Sequence, residues 1–208
     1  DRINANIVCW TPTPNKKQKE EFESLKVISE NLTIFLMNVE ALSTLKGYEA
    51  AYNFVKGHET LVTVDESTTI KSPTASRTKS TVKLGLHAKY RRILTGSPVT
   101  KSPLDLYTQC QFLDSELLGF SSFWAFKSRY ALMAHRNAAG GAHSYQHIIK
   151  YVRLDELNTK LESFSTRILK EDCLDLPEKV YMKRSVELTS EQVKAYNEMK
   201  QFAVAELE

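Results

Sequence analysis

The stretch LVTVDESTTIKSP, residues 61–73, joins an apolar run to two adjacent carboxylates and then to a polar, basic segment. Leucine, valine and threonine make up the run, a composition that predicts a buried β-strand. Asp65 and Glu66 follow it directly, and neighbouring carboxylates repel one another unless a cation or hydrogen-bond donors compensate. Folding alone does not require an acidic pair there. The stretch therefore predicts a strand with a candidate site at its end, and the alternative is a strand end that is simply exposed to solvent.

The sequence around this strand alternates between apolar runs and segments with helical spacing. The other predicted strands are residues 6–12, 33–39 and 90–98. The predicted helices between them are residues 16–29, 45–57 and, with weaker spacing, 74–89. Near-continuous apolar strands that alternate with helices are typical of parallel sheets covered on both faces. The pattern therefore predicts an α/β fold with a parallel sheet flanked by helices.

Beyond Pro103 the pattern becomes helical and rich in aromatic residues. It predicts helices over 104–114, 120–133 and 154–165, a loop over 135–144, a strand over 180–188 and a last helix opened by Ser190. The second of these helices carries five aromatic residues: Phe120, Phe123, Trp124, Phe126 and Tyr130. Their helical spacing favours packing in a core over stacking on nucleic-acid bases.

The composition excludes several classes of protein. None of the apolar runs approaches the roughly 20 residues that span a bilayer, and no secretory signal is visible. Cys9, Cys110 and Cys173 are far apart and odd in number, which predicts reduced core thiols in an intracellular protein, cytoplasmic if it is encoded by a bacterium or a phage. The first residue is Asp1, so we expect a piece of a longer protein.

The 208-residue chain has a formal net charge of only +3, but the charge is unevenly distributed. Residues 67–104 contain no Asp or Glu, and their cations are Lys71, Arg77, Lys79, Lys83, Lys89, Arg91, Arg92 and Lys101. This acid-free interval is either a solvated basic surface or a surface that meets phosphates. Because Lys71, Arg77 and Lys79 follow the acidic pair most closely, they are the first candidates for nucleic-acid contact.

A second polar motif, LTGSP at residues 94–98, ends the next predicted strand. In open parallel sheets, ligands bind outside the carboxyl ends of the strands, so Asp65 and Glu66 should lie at the same edge as Thr95, Gly96 and Ser97. Mg²⁺ takes few protein carboxylates and keeps several waters, which fits one aspartate holding a hydrated ion beside a phosphate. The glutamate is then free to orient or deprotonate a water. Taken alone, LTGSP is equally compatible with a plain turn.

VDESTTIKSP followed by RRILTGSPVTKSPLDLYTQCQFLD resembles motifs II and III of the superfamily 2 helicase-like ATPases, in particular the Swi/Snf branch of DNA translocases. Further segments resemble other blocks of that branch in the same order, at residues 36–44, 123–130, 157–179 and 186–199. The resemblance implies an incomplete RecA-like lobe with a helical C-terminal part. It divides the chain into the latter part of lobe 1 (1–118), a helical extension (119–179), and a strand and helix leading toward lobe 2 (180–208).

The resemblance also implies roles for particular residues. Asp65 would hold Mg²⁺, and Glu66 would activate the water that attacks the γ-phosphate of ATP. Thr95, Gly96 and Ser97 would lie beside the nucleotide, with Thr95 and Ser97 coupling the nucleotide state to contacts with double-stranded DNA.

The sequence departs from the family at three positions. Thr68 stands where the family usually has His, and Lys101 stands where many relatives have Asn. Arg167 occupies the first position of a pair of arginines, whose second position is Ile168.

Phosphoryl transfer in such enzymes also needs a Gly-rich loop and a lysine around the phosphates. None of the seven glycines is followed by Lys-Ser or Lys-Thr, and the arginine-bearing motifs of a second lobe are missing. We therefore expect little or no ATP hydrolysis by the chain itself and hydrolysis by its full-length parent. The partners would be duplex DNA and the rest of its own protein, with no membrane.

Two other functions are compatible with the same sequence. A non-catalytic helicase-like module that binds DNA or protein would have no use for Glu66 beside Asp65. A metal nuclease would need further carboxylates converging on the ion, and the sequence offers no second acidic cluster at a strand end. The ATPase interpretation is therefore preferred to the binding module, and the nuclease ranks last.

Overall fold

The structure, a computed structural model, describes residues 4–25, 31–137, 144–175, 177 and 180–205. The chain forms two compact units, Asp1–Ser165 and Thr166–Glu208. Boundaries at 118/119 and 179/180 remain a prediction. Within the described residues, no helix has the length and apolar character needed to cross a membrane.

The first unit contains most of the regular structure. Its strands are β1 (Ala5–Cys9), β2 (Leu32–Leu36), β3 (Leu61–Val64), β4 (Tyr90–Ile93), β5 (Ala131–Asn137) and β6 (Ser144–Tyr151). Its α-helices are α1 (Lys16–Ser24), α2 (Leu45–Gly57), α3 (Ser76–Gly85), α4 (Leu106–Leu113), α5 (Phe123–Tyr130) and α6 (Leu154–Glu162). Short 3₁₀ turns occupy Val39–Ser43, Ser67–Ile70 and Pro103–Asp105. The second unit contains α7 (Lys170–Cys173) and α8 (Ser190–Ala205).

Two parallel strand pairs carry the α/β part of the fold. β1 pairs with β2, and β3 pairs with β4, with Leu61 opposite Tyr90 and Val64 opposite Ile93. A helix connects the strands of each pair, α1 in the first and α3 in the second, as parallel connections require. The predicted α/β class with parallel strands is confirmed. Among the described residues, the strands form separate pairs instead of one continuous sheet.

A small buried cluster lies next to the ends of β3 and β4. Val64, Ile70 and Phe112 form it, and the last two are 0% exposed. Ile70 ends the turn that follows the acidic pair, and Phe112 lies on α4. Because protein interiors are close-packed, this cluster fixes the chain on both sides of the predicted site.

The core prediction for the aromatic residues is confirmed at four of the five positions. Phe126 and Tyr130 are fully buried, while Phe120 and Phe123 pack against the same cluster. The prediction is wrong for Trp124, which is 62% exposed and has the Lys127 ammonium 4.9 Å from its ring centroid. Consecutive residues of a helix point about 100° apart, so Phe123 and Trp124 cannot both face the core.

The loop predicted over 135–144 is wrong at both of its ends. β5 and β6 form an antiparallel pair there, with Asn137 opposite Ser144, and residues 138–143 lie outside the described part of the chain. β5 also takes the last residues of the predicted helix 120–133. A register shift between Leu132 and Met133 interrupts the pairing. It breaks the two-residue alternation that identifies strands in a sequence.

Other predictions fail in the second unit and at two cysteines. Residues 180–188 form no strand. α8 begins at Ser190 as predicted, but Thr189 caps it, because Thr189 and Gln192 each accept a hydrogen bond from the other's backbone amide. The described cysteines are free thiols, yet Cys9 and Cys173 are exposed and only Cys110 lies in the core. Burial raises the pKa of Cys110 to about 12.

Candidate functional site

The carboxyl ends of β3 and β4 lie side by side. The last paired residues of the two strands are Val64 and Ile93. One further hydrogen bond follows, from the Leu94 amide to the Val64 carbonyl at 2.9 Å. The Ser67 amide then donates to the Leu94 carbonyl at 3.0 Å. The segments that follow the two strands therefore leave from one edge of the sheet. The acidic pair, Asp65 and Glu66, lies on one segment, and the LTGSP loop, residues 94–98, is the other.

Both members of the acidic pair are exposed to solvent. Asp65 Oδ1 accepts a hydrogen bond from the Glu66 amide at 2.9 Å. No lysine, arginine or histidine in the described ranges forms an ion pair with either carboxylate. Hard, exposed carboxylate oxygens at this edge fit Mg²⁺, which takes one or two protein carboxylates and completes its shell with water and phosphate oxygens. Asp65 is the residue that would hold it.

Glu66 adopts a left-handed backbone conformation, with φ 46° and ψ 56°. For a residue other than glycine this conformation costs about 1–3 kcal/mol and persists only where the surroundings impose it. The surroundings here are the 3₁₀ turn Ser67–Ile70, whose Ser67 and Ile70 are fully buried, and the Thr69 amide, which donates to the Glu66 carbonyl at 2.9 Å. The Glu66 side chain is thus exposed to solvent, while its backbone is held in place by the residues that follow it.

The LTGSP loop is held partly by its own side chains. Thr95 Oγ1 accepts a hydrogen bond from the Ser97 amide at 3.2 Å, and the Ser97 hydroxyl donates to the Val99 carbonyl at 2.9 Å. Gly96 is exposed, and a Cβ there would meet no atom within 4 Å. The hydroxyls that the sequence assigns to coupling therefore shape the loop itself, and space remains open beside Gly96.

Asp105, which the sequence analysis did not single out, holds the chain that leaves the loop. Its Oδ2 accepts hydrogen bonds from the Thr100 amide at 3.0 Å, the Thr100 hydroxyl at 2.9 Å and the Lys101 amide at 2.9 Å. Lys71 donates to the Thr100 hydroxyl, and its Nζ lies 3.9 Å from Asp105 Oδ2. Burial opposes the charge on Asp105, but the hydrogen bonds from Lys101 and Thr100 outweigh it and lower the pKa of this carboxyl.

We expect Asp105→Ala to lower the free energy of unfolding at neutral pH by about 2 kcal/mol, because hydrogen bonds to a charged group contribute about 1.5–3 kcal/mol. A lowered folded-state pKa stabilises the fold above the usual value of 3.8, and this stabilisation is lost as the pH falls through the folded-state pKa. The difference between wild type and variant should stay constant from about pH 5 to 8 and shrink below 3.8. Denaturant unfolding across this range measures it, and a difference that persists at low pH would contradict the assignment.

The three candidate nucleic-acid residues lie in different environments. Lys71 contacts Thr100, and Arg77 Nε donates to the Thr69 carbonyl at 2.7 Å in a half-buried position. Lys79 is exposed. The structure therefore uses Lys71 and Arg77 to fasten the segment after the acidic pair, whereas Lys79 faces solvent.

Lys79 lines an open pocket of about 350 Å³ at the start of α2, together with Leu42, Ser43, Thr44, Leu45, Tyr48, Ser80 and Lys83. Thr44 caps the helix, because its Oγ1 accepts a hydrogen bond from the Gly47 amide at 3.1 Å. The N-terminus of an α-helix carries a partial positive charge. Two lysines and this helix N-terminus together favour the binding of an anion in the pocket.

The sequence analysis missed Asp105 and Gln109, because it predicted only a helix over 104–114 and gave these two side chains no role. Gln109 is 0% exposed. The available signal was its spacing, because Gln109 lies three residues from both Leu106 and Phe112 on the apolar face of that helix, and a buried amide needs hydrogen-bond partners.

Comparison with known proteins finds relatives that are similar to this chain in sequence. The chain is 33% identical over 134 residues to SWI/SNF-related matrix-associated actin-dependent regulator of chromatin subfamily A-like protein 1 of Drosophila melanogaster, covering 60% of this chain and 17% of that protein. It is 29% identical over 140 residues to the helicase-like transcription factor of Oryctolagus cuniculus, covering 67% and 13%. The chain thus spans less than a fifth of these relatives.

Among solved structures, the Sulfolobus solfataricus SWI2/SNF2 ATPase core in complex with dsDNA aligns at 24% identity with a TM-score of 0.38, over 62% of this chain and 28% of that one. The SNF2-related domain family matches residues 4–208. This match confirms the resemblance to Swi/Snf-type proteins, and the parallel strand pairs with their connecting helices agree with the α/β class that the resemblance implied. The chain belongs to the SNF2-related domain family.

Proposed function

We propose that this chain supplies the hydrolytic carboxylates and the DNA-coupling segment of an ATPase that moves on duplex DNA. The observation that carries the proposal is the edge shared by two segments: the exposed acidic pair, Asp65 and Glu66, and the LTGSP loop. Membership of the SNF2-related domain family supports a role of the helicase-superfamily type.

The chemistry divides between the two acids. Bound Mg²⁺ would neutralise charge on the phosphates of ATP, and Asp65 would hold it. Glu66 would accept a proton from the attacking water, a step that a positioned carboxylate can perform. The hydrogen bond from the Glu66 amide to Asp65 Oδ1 keeps the two residues in one arrangement.

The chain contains no Gly-Lys-Ser or Gly-Lys-Thr sequence for the phosphates. In this proposal a P-loop segment and a second RecA-like lobe come from the rest of the parent protein, which acts inside the cell. The isolated chain would hydrolyse little or no ATP.

The test is ATP turnover by the full-length protein with and without duplex DNA. We expect turnover that DNA stimulates, together with background rates for the isolated chain. A non-catalytic helicase-like module, the second candidate, would bind DNA or protein without any turnover by the full-length protein.

The DNA surface would include the pocket at the start of α2, which we name the α2 pocket. Lys79 and Lys83 are one helical turn apart on α3. Both line the pocket, and Ser43 and Thr44, at the end of the 3₁₀ turn before α2, line it as well. Lysines, hydroxyls and a helix N-terminus are the groups that contact DNA phosphates. Such contacts would be independent of base sequence and sensitive to salt.

We expect Lys79→Ala and Lys83→Ala each to weaken the binding of duplex DNA, by the same factor for every DNA sequence tested. Each should reduce the slope of log affinity against log salt concentration by about 1, the change expected for one lost phosphate contact. Lys56→Ala is the matched control, because Lys56 lies in the last turn of α2, over the Tyr52 ring, as Lys83 lies over the Tyr48 ring. Equal slopes for Lys56→Ala and the pocket variants would remove the α2 pocket from the interface.

A further inference from the structure

Gln109 is a fully buried polar side chain at the centre of the site. It lies on α4 and is 0% exposed, and its partner Ser67 is also 0% exposed. Neither side chain is exposed to solvent at the edge where a nucleotide would bind. A buried amide is retained at such a position only where its hydrogen bonds are satisfied, so its partners indicate what it does.

Three hydrogen bonds satisfy the Gln109 amide. The Ser67 hydroxyl donates to Gln109 Oε1 at 2.6 Å. Gln109 Nε2 donates to the Pro98 carbonyl at 2.8 Å and to the Asp105 carbonyl at 2.7 Å. Because carbonyl oxygens only accept, the chemistry fixes the orientation of the amide. Both amide hydrogens and the amide oxygen are therefore used.

The partners of Gln109 belong to the two segments that form the site. Ser67 directly follows Glu66, and Pro98 directly follows Ser97. One side chain thus joins the residue after the proposed general base to the residue after the proposed coupling hydroxyl.

These bonds make independent movement of the two segments costly. A buried donor or acceptor left without its partner costs about 1–3 kcal/mol. Displacing Ser67 would leave Gln109 Oε1 unsatisfied, and displacing Pro98 would leave an Nε2 hydrogen unsatisfied. A small shift of one segment is therefore transmitted to the other through the Gln109 side chain.

We propose that Gln109 is a positioning residue that couples the Glu66 segment to the LTGSP loop. The inference rests on the proposed function, since it assigns the physical link by which DNA contact would stimulate hydrolysis. Gln109 touches neither ATP nor DNA in this proposal. Its effect is a coupling free energy between two sites, which is typically worth a factor of 5–150.

The main test is Gln109→Leu in the full-length protein. Leucine has a similar size but neither donates nor accepts hydrogen bonds. We expect the ratio of DNA-stimulated to basal ATP turnover to fall about tenfold, within the range typical of coupling between sites, while duplex DNA affinity stays at the wild-type value. Gln111→Leu on the same helix is the control, because Gln111 takes no part in these hydrogen bonds, and it should keep the wild-type ratio.

A second variant separates coupling from stability. In Ser67→Ala/Gln109→Leu both members of the buried pair become apolar, and such replacements can be nearly neutral for folding. We expect the double variant to recover stability over Gln109→Leu and still to lack DNA stimulation. Recovery of the ratio together with stability would show that Gln109 is only structural and would overturn the proposal.

The outcomes distinguish this inference from the proposed function. If the wild-type protein shows no DNA-stimulated turnover, the proposed function fails and the coupling role fails with it. If the wild type is stimulated and Gln109→Leu keeps the full ratio, the coupling role alone is wrong. A stimulated wild type with an unstimulated but folded double variant supports both.

Discussion

Glu66→Gln should reduce DNA-stimulated ATP turnover by the full-length protein by about a hundredfold or more, because a positioned general base contributes about 10²–10⁴ to the rate. Glutamine preserves the shape of the side chain but cannot take a proton from water. The left-handed backbone at residue 66 is held by the buried Ser67 and Ile70, so the substitution should leave the segment in place.

The measurement is kcat at saturating ATP and DNA, with nucleotide and DNA affinities determined in parallel. Both affinities should stay close to wild type, since the lost step is proton transfer. Glu49→Gln is a matched control, because Glu49 is an exposed glutamate on α2 outside the site. Undiminished turnover in Glu66→Gln would remove Glu66 from its assigned role and would require another group to accept the proton of the attacking water.

The edge of the sheet could be predicted because it depends on local patterns. β3 ends within one residue of its predicted end, and β4 begins at its predicted start, residue 90. Parallel pairing then places Asp65 and Thr95 on one edge without any further information. Strand type and direction are encoded in short runs of sequence, whereas the predicted end of β4 at residue 98 is wrong, because the strand ends at Ile93 and the LTGSP residues form a loop.

The connections within the site could not be predicted in the same way. The bond from Ser67 to Gln109 joins residues 42 positions apart, and no periodicity indicates which buried polar group meets which. Lys71 and Arg77 looked equivalent to Lys79 in the sequence, yet the tertiary structure gives the first two protein partners and leaves the third exposed. Charge counts locate a basic interval, and only packing decides which of its cations are available.

The strands β5 and β6 could not be predicted from local patterns either. Ile148 packs against the core, whereas its neighbour Ile149 is 62% exposed at the register shift. Tyr151 is the next side chain that packs against the core, and core-facing side chains three residues apart do not fit a regular strand, in which they recur at every second residue. The glycines at 140 and 141 favoured a loop over the whole segment.

Gly47→Ala should lower the free energy of unfolding by about 3 kcal/mol, at the upper end of the range for overpacked interiors. A Cβ at residue 47 would overlap the Ala41 carbonyl oxygen and lie 2.8 Å from its carbon. These are backbone atoms of the turn Val39–Ser43, which cannot rotate away as a side chain can. The turn also carries Leu42 into the core.

Gly57→Ala, in the same helix, should change the free energy of unfolding in the opposite direction. Gly57 is the last residue of α2, its φ is not positive, and a Cβ there would meet no atom within 4 Å. Alanine should then raise stability by up to about 1 kcal/mol, because it restricts the unfolded chain and favours helix. Denaturant unfolding of both variants gives the comparison, and equal effects at 47 and 57 would contradict the close approach of α2 to the turn. Since Ser43 lines the α2 pocket, Gly47→Ala should also weaken DNA binding, whereas Gly57→Ala should not.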